Sequence, residues 1–376
     1  MKGTKRRILF SFLAAAGVVM TACGTGDAFR GAASLKTVYA APETASVRQE
    51  YAAYRKRLEN IKTQEEIEPS GFELIREQRF PVYLEQFGEV MFTPAMEKKY
   101  NRLVLFFVDG DGKVVYQTDQ LETNNKRKGS LAQNNTGLSA VSFQDMNGDG
   151  LWDLVLLTSC EKKEGTNAGK NYRVGDVLFQ GEKCFYRDWR VSDKINRFNM
   201  NRSIELIAAY VRDGRSTEFL YTASTMDELL SNGLQVVSEQ CYWRNFEKLG
   251  RLLVVPGTYQ ISNYEMFLVY LVNEEGNIVW SFQPMEEYDN LYALRGISCR
   301  DIDGDGLKDL VVLARYSYAG EGPVQTEMAY SIYYQRVSGF VEDTEVKAHY
   351  VCQEDETMEE LVNAARACWG WSTEDD

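Results

Sequence analysis

Histidine, positive charge and long apolar stretches are all scarce in this sequence. One histidine, His349, occurs among 376 residues, and no nucleophile motif surrounds it. The usual set of nucleophile, base and orienting group is therefore not visible, and we expect no enzymatic activity. Lys and Arg number 42 against 55 Asp and Glu, which gives a formal net charge of −13. Since phosphate binding requires clustered basic residues, we expect no nucleic-acid partner.

Closely spaced cysteines are also missing. The seven cysteines include no CxxC pair, so neither a zinc site nor a compact disulfide framework is indicated. We expect most of the six that follow Cys23 to be buried thiols. The pair to test first for a disulfide is Cys352 with Cys368.

The first 23 residues have the layout of a secretory signal. Basic residues at positions 2, 5, 6 and 7 precede an uncharged, mainly apolar run at 8–20, and small residues follow up to Cys23. The run is shorter than the ~20 apolar residues that a membrane helix needs. A cleaved leader is therefore favoured over a membrane span.

The end of this leader indicates how the mature protein is held. Met20-Thr21-Ala22-Cys23 resembles the lipobox of bacterial lipoproteins. The resemblance implies a lipoprotein signal peptide at 1–23, a lipid on Cys23, and a protein anchored to the outer face of the bacterial cell membrane. The alternative is an ordinary secretory signal with an incidental cysteine.

A flexible tether and a helix follow the leader. Residues 24–46 contain few large apolar side chains, so burial cannot offset the entropy of ordering them. From Val47 to Ile61 the apolar residues recur at alternating steps of four and three, which predicts a helix with one apolar face. We expect that face to dock on the domain that follows.

The rest of the chain shows an internal duplication. Residues 71–78 resemble residues 233–240, and the same shift of 162 positions aligns Glu85 with Glu247. Further on, residues 205–207 align with residues 360–362 at a shift of 155, so the offset changes only across loops. We assign the first copy of a β-rich repeat unit to 47–214 and the second copy to 215–373.

Each copy is predicted to be rich in strands. Short runs of Val, Leu, Phe and Tyr lie between turn residues, for example at 80–87, 103–108, 113–117, 154–157 and 177–180. The continuously apolar runs 154–157 and 310–313 predict strands covered on both faces. Amphipathic helices at 203–212 and 357–368 close the copies. We therefore predict a mainly β fold with a few helices, built as an internally duplicated tandem unit, with a small or incomplete β-propeller as one arrangement.

Each copy carries one acidic segment, acidic loop 1 at 145–153 and acidic loop 2 at 301–309. Both have oxygen-bearing side chains at positions 1, 3, 5 and 9 and glycine at position 6, a spacing that can wrap a hard cation with oxygen ligands. An EF-hand needs Glu at position 12, where these sequences have Leu156 and Val312. A solvated acidic turn is the alternative for a single copy, and two matched copies favour a metal site.

The loops resemble the Ca²⁺ loops of FG-GAP and VCBS-type repeats, which occur in integrin α-chain propellers and bacterial surface proteins. The resemblance implies Ca²⁺ at two sites, with these ligands: Asp145, Asn147, Asp149, the Leu151 carbonyl and Asp153; then Asp301, Asp303, Asp305, the Leu307 carbonyl and Asp309. Because acidic loop 2 has one more carboxylate, we expect it to bind the ion more tightly. The loops lie 156 residues apart instead of one propeller blade apart, and the Phe-Gly-Gly-Ala-Pro stretch is absent.

Together these features favour a membrane-anchored extracytoplasmic binding or adhesion module with two structural Ca²⁺ ions. Its partner would be a surface protein or a glycan. An extracytoplasmic hydrolase of glycans or cell-wall material is one alternative, because paired carboxylates are plentiful. A structural subunit of an envelope complex is another.

Overall fold

Antiparallel strands are the main secondary structure of the chain between residues 45 and 371. The computed structural model describes residues 45–125, 130–163, 169–284, 290–317 and 326–371. The predicted signal peptide, the lipidation site Cys23 and nearly all of the predicted tether lie outside the described residues. No helix in these ranges has both the length and the apolarity to cross a membrane.

The described strands form four antiparallel sheets, numbered in chain order. Sheet 1 contains β1 (Phe72–Leu74), β2 (Phe80–Leu84), β3 (Gly88–Glu97), β4 (Arg102–Val108) and β5 (Val114–Thr118). Sheet 2 contains β6 (Asn135–Gln144), β7 (Asp153–Glu161), β8 (Asn171–Gly181) and β9 (Cys184–Tyr186). Sheet 3 contains β10 (Gln235–Val236), β11 (Tyr242–Phe246), β12 (Gly250–Ile261), β13 (Tyr264–Val272) and β14 (Ile278–Phe282). Sheet 4 contains β15 (Asn290–Arg300), β16 (Asp309–Ser317), β17 (Thr326–Arg336) and β18 (Gly339–Glu342).

Helices lie before, between and after the sheets. The α-helices of the described ranges are α1 (Ala45–Glu59), α2 (Trp189–Arg197), α3 (Ile204–Val211), α4 (Phe219–Thr222), α5 (Met226–Ser231), α6 (Glu345–His349) and α7 (Met358–Cys368). Four short 3₁₀ turns occupy Gln64–Glu66, Arg76–Gln78, Glu122–Asn125 and Ser238–Gln240. The helices predicted before the first sheet and at the end of each copy are confirmed as α1, α3 and α7.

Strand order repeats between the two halves of the chain. Sheet 1 has the order β1-β3-β4-β5 with β2 also pairing β3, and sheet 3 has the order β10-β12-β13-β14 with β11 also pairing β12. Sheets 2 and 4 are both four-stranded meanders. The prediction of a mainly β, internally duplicated fold is therefore confirmed, and the boundaries 47–214 and 215–373 stay predictions.

Small contacts repeat along with the strands. The amide of Gln64 donates to the carbonyl of Gly112 at 2.9 Å. The amide of Met226 donates to the carbonyl of Gly276, also at 2.9 Å. Each bond joins the start of a copy to a hairpin turn, the turn between β4 and β5 in the first copy and the turn between β13 and β14 in the second. Hydrogen bonds at equivalent positions of the two copies are expected in a duplicated chain.

In the first half, sheet 1 faces sheet 2 across an apolar core. Side chains of both sheets, such as Phe92 and Leu154, meet in this layer. The outer face of sheet 1 is covered by α1 through Tyr54, as the apolar pattern predicted. The outer face of sheet 2 is covered by α2 and α3, for example by Ile195. Successive strand residues point to opposite faces, so both faces of each central strand are apolar.

The second half repeats this layering. Sheet 3 faces sheet 4 through residues such as Phe267 and Leu310. Helices α3, α4 and α5 cover the outer face of sheet 3, and α6 and α7 cover the outer face of sheet 4. The four sheets thus pack as two face-to-face pairs. They form no closed barrel within the described ranges, and a propeller stays a prediction.

None of the six cysteines in the described ranges forms a disulfide, Cys352 and Cys368 included. Only Cys160 and Cys299 are buried, so the expectation that most would be buried is wrong. Cys184 and Cys368 are exposed because they lie at the start of β9 and at the end of α7, where the chain reaches the surface.

Candidate metal centre

Each acidic loop joins two adjacent strands at the same place in its half of the chain. Acidic loop 1 connects β6 to β7, and acidic loop 2 connects β15 to β16. Gly150 and Gly306, at position 6, have φ values of +83° and +78°. This left-handed conformation is readily adopted only by glycine, and it turns the loop sharply enough to direct its side chains inward.

The first carboxylate of each loop organises the backbone around itself. Asp301 accepts from the amides of Gly304 and Gly306, both at 2.8 Å. Asp145 accepts equivalent bonds at 2.7 and 3.0 Å in acidic loop 1. These backbone donors, led by Gly150, hold the pKa of Asp145 below its usual range.

The last carboxylate of acidic loop 2 is buried and fixes the loop to the sheet. Asp309 accepts from the amide of Ile302 and from the amide of Gln335, each at 2.8 Å. Burial raises its pKa to about 7, and the charges of Asp303 and Asp305 add to the effect. A carboxylate in such surroundings favours a proton or a cation beside it.

Acidic loop 1 has the same anchor. Asp153 accepts from the amides of Met146 and Gln180 at 2.9 and 2.8 Å. Burial again raises the pKa of Asp153 above its usual value. The two loops therefore share their first and last contacts.

A glutamate from the facing sheet clips each loop in place. In the first half, Glu85 accepts from the Trp152 amide and from the Gln180 side-chain amide, both at 3.0 Å. In the second half, Glu247 accepts from the Lys308 amide at 2.9 Å and from the Gln335 side chain at 3.2 Å. In the first half these bonds connect the turn after β2 with acidic loop 1 on sheet 2. In the second half they connect the turn after β11 with acidic loop 2 on sheet 4.

The charged clip of the second half is the stronger one. Lys308 adds an ion pair to Glu247. Burial opposes ionisation of Glu247, but its bonds from Lys308 and Gln335 outweigh burial and lower its pKa to about 2. The internal duplication aligns Glu85 with Glu247, but the sequence pattern did not indicate a role for either residue. Gln180 and Gln335 were not predicted as site residues. Their spacing of 155 residues, the same shift that aligns α3 with α7, is the signal that could have identified them.

Three predicted ligands converge in acidic loop 2. Asp301, Asp303 and Asp309 each offer a carboxylate oxygen within 4.8 Å of the others, and no other group of three such ligands occurs in the described ranges. The Asp303 side chain is only 7% exposed, and its Oδ1 is buried with no hydrogen-bond partner. A buried carboxylate oxygen without a donor is costly unless a cation supplies the missing interaction. The donor set therefore fits a hard divalent cation.

The remaining predicted ligands of acidic loop 2 lie outside this group. Asp305 is ion-paired with Arg336 at 3.0 Å. The Leu307 amide donates to Asp305 Oδ1 at 2.9 Å. The structure thus brings together three of the four predicted carboxylates.

Acidic loop 1 arranges its side chains differently. Asn147 donates from its side-chain amide to Asp149 at 3.0 Å, and the Leu151 amide donates to the other oxygen of Asp149 at 2.8 Å. Both Asn147 and Asp149 are exposed. The two sites predicted from the sequence are therefore unequal, and only acidic loop 2 gathers a cluster of carboxylates.

The chain matches no family model, no curated protein and no solved structure.

Residues 366–371 contact acidic loop 2. Arg366 Nε donates to the Asp301 carbonyl at 2.9 Å, and Trp371 Nε1 donates to the Ile302 carbonyl at 2.8 Å. The Arg366 guanidinium stacks 4.3 Å from the centre of the Trp371 ring, and the same ring lies against Gly304. No local sequence pattern indicates these contacts, because they join segments more than 60 residues apart.

Proposed function

We propose that this protein is an exported, lipid-anchored surface module whose β-rich body binds Ca²⁺ as a structural ion and presents a binding surface to a protein or glycan outside the cell. The observation that carries the metal part is the convergence of Asp301, Asp303 and Asp309 around the buried, unpartnered Oδ1 of Asp303. The leader and Met20-Thr21-Ala22-Cys23 support the location.

Calcium is the ion that this site and location favour. Its flexible coordination by six to eight oxygens suits carboxylates that are already hydrogen-bonded to backbone amides, and Mg²⁺ requires stricter octahedral geometry. Extracellular modules bind Ca²⁺ with Kd of roughly 10⁻⁴ to 10⁻³ M. At about 1 mM ion such a site stabilises the fold by about 0.4 to 1.4 kcal/mol. The ion would thus stabilise the connection between β15 and β16.

Acidic loop 1 is the weaker candidate for a second ion. Its Asn147 supplies a neutral oxygen where acidic loop 2 has a carboxylate, and its side chains are satisfied by one another. We therefore propose one principal Ca²⁺ site in acidic loop 2 and a second, weaker site in acidic loop 1.

Calorimetry tests the metal site directly. Titration of the purified mature protein with Ca²⁺ should give heat that is reduced in Asp303→Asn, with Asp111→Asn in a hairpin turn as the matched control. No heat from the wild-type protein at millimolar Ca²⁺ would refute the site.

The anchor and the binding role need separate tests. Mass spectrometry of the protein from cell membranes should find a lipid on Cys23, and Cys23→Ser should release the protein from the membrane fraction. Cross-linking on intact cells, with and without Ca²⁺, should then identify a surface protein or glycan partner. A protein that stays in the cytoplasm would contradict the whole proposal.

A further inference from the structure

A guanidinium group lies against acidic loop 2. Arg336, the last residue of β17, contacts Asp303 Oδ2 through Nη2 at 2.6 Å and Asp305 Oδ2 through Nη1 at 3.0 Å. Its Nη1 also donates to the Gln335 carbonyl at 2.8 Å. The two oxygens of Asp303 therefore differ. Oδ2 is paired with Arg336, whereas Oδ1 is buried and has no hydrogen-bond donor.

The first half of the chain lacks this pair. Gln180 and Gln335 make the same bonds to the last carboxylate of their loops, so the next residues, Gly181 and Arg336, are equivalent. Asp303 is likewise replaced by Asn147 at loop position 3. One negative and one positive side chain are thus present together in one copy and absent together from the other.

The extra positive side chain offsets the extra negative one. Acidic loop 1 has three carboxylates and no basic residue, a formal charge of −3. Acidic loop 2 has four carboxylates and Lys308, which is also −3, and Arg336 against Asp303 and Asp305 reduces the charge of this site to −2. The extra carboxylate therefore brings its own counter-charge, and a count of carboxylates overstates how strongly acidic loop 2 attracts an ion.

We propose that Arg336 is a tethered competitor of the metal ion at acidic loop 2. This inference rests on the proposed Ca²⁺ site and concerns its regulation. A divalent ion held by Asp301, Asp303 and Asp309 is repelled by the guanidinium beside Asp303, and Asp305 becomes available as a ligand only when Arg336 leaves it. Arg336 has room to leave, because its side chain is 37% exposed at the surface. Coordination of the ion by Asp305 Oδ2 and the Arg336–Asp305 ion pair are therefore mutually exclusive.

Terbium luminescence can report the two loops separately. Tb³⁺ replaces Ca²⁺ at oxygen sites and emits when a nearby tryptophan is excited. Trp371 lies against acidic loop 2, and Trp152 belongs to acidic loop 1. Emission that disappears in Trp371→Phe is assigned to acidic loop 2, and emission that disappears in Trp152→Phe is assigned to acidic loop 1.

The decisive variant is Arg336→Gln in the full-length mature protein. We expect the Ca²⁺ Kd of acidic loop 2, measured by displacement of Tb³⁺, to fall at least about tenfold, equal to about 1.4 kcal/mol. Arg336→Lys keeps the charge and should bind Ca²⁺ nearly as the wild type does. Arg197→Gln removes the same charge from an exposed pair with Asp193 on α2 and should leave the Kd unchanged.

A reciprocal exchange keeps the inference testable if Arg336→Gln does not fold. Asn147→Asp should tighten ion binding in acidic loop 1, and adding Gly181→Arg should reverse that gain. The position can accept a side chain, because a Cβ at Gly181 would meet its nearest atom, Cys184 Sγ, at 3.4 Å.

The outcomes separate this inference from the metal proposal. Equal Kd values for the wild type, Arg336→Gln and Arg197→Gln would overturn the role of Arg336 and leave the Ca²⁺ site standing. If neither the wild type nor Arg336→Gln binds the ion, both the role of Arg336 and the Ca²⁺ site are overturned. Binding by Arg336→Gln but not by the wild type would support the competitor role and refute the structural Ca²⁺ ion proposed for the wild-type protein.

Discussion

The backbone amide of Gln335 donates a 2.8 Å hydrogen bond to Oδ1 of Asp309. The side chain of the same glutamine donates to the carbonyl of Lys308 at 3.0 Å and accepts from the amide of Lys248 at 3.0 Å. One buried residue thus joins β17, acidic loop 2 and the turn of the facing sheet. Gln180 has the same position in the first half.

Removal of this glutamine should destabilise the fold. Gln335→Ala removes the part-buried hydrogen bonds of this side chain to the Lys248 amide and the Lys308 carbonyl. At about 0.5–1.5 kcal/mol per bond, the free energy of unfolding should fall by about 1–3 kcal/mol. Gln180→Ala should cost a similar amount because its contacts are the same. Urea denaturation measures both, with Gln353→Ala at an exposed site as the control. A loss below about 0.5 kcal/mol in both variants would contradict the assigned role.

Chelation should lower the melting temperature by a small and specific amount. If Ca²⁺ contributes about 0.4 to 1.4 kcal/mol, its removal should lower Tm by about 1–4 °C. Asp303→Asn should lose this difference, because the buried oxygen that distinguishes acidic loop 2 becomes part of a neutral amide. Calorimetric scans with Ca²⁺ and with chelator provide the measurement. A Ca²⁺-dependent shift of equal size in Asp303→Asn would place the stabilising ion elsewhere.

A buried ion pair beneath α1 predicts a larger loss. Asp119 is fully buried and accepts from Arg55 at 2.7 Å and from Arg102 at 3.0 Å. Asp119→Asn leaves the buried Arg102 charge without its partner, which costs about 3–5 kcal/mol. Met266 is the equivalent residue in the second half, because it pairs with Tyr259 as Arg102 pairs with Glu97, 162 residues earlier. The double variant Asp119→Asn with Arg102→Met should therefore recover more than half of the loss. Chemical denaturation of both variants tests this, and equal stabilities would contradict it.

Asp176 should make stability depend on pH. Burial raises its pKa to about 6, against the opposing charge of Arg187, while the usual value is 3.8. Because the folded protein binds this proton more tightly than the unfolded chain does, the contribution to stability is present below about pH 4 and is lost as the pH rises through 6. The wild-type free energy of unfolding, relative to that of Asp176→Asn, should therefore fall by about 2 kcal/mol from pH 4 to pH 7. If the difference in free energy of unfolding between the wild type and Asp176→Asn does not change with pH, the predicted role of Asp176 is refuted.

Local patterns in the sequence were sufficient for most of the strands and closing helices. The runs at 154–157 and 310–313 are uninterrupted by polar residues, and both lie in strands buried on each face. The helix before the first sheet was predictable because its apolar residues recur with helical spacing. The hairpin turn at 109–112 consists of Asp and Gly residues, which favour turns, and its Asp109 carboxylate accepts from the amide of Lys113 at 2.8 Å.

The long-range contacts were not predictable in the same way. Nothing local indicates that sheet 1 faces sheet 2, since apolar strands fit a sandwich and a propeller equally well. Arg336 and Trp371 reach acidic loop 2 from distant positions, and their own surroundings in the sequence resemble ordinary strand and tail residues. The loops were recognisable because all their ligand positions fall within nine residues.

Helix α3 serves both halves of the chain at once. Ile207 and Ala208 pack into the core beneath sheet 2, while Leu206 and Ala209 pack into the core beneath sheet 3. A force applied across the two halves would therefore act on the packing of this short segment as well as on the backbone. The halves would resist stretching as one mechanical element.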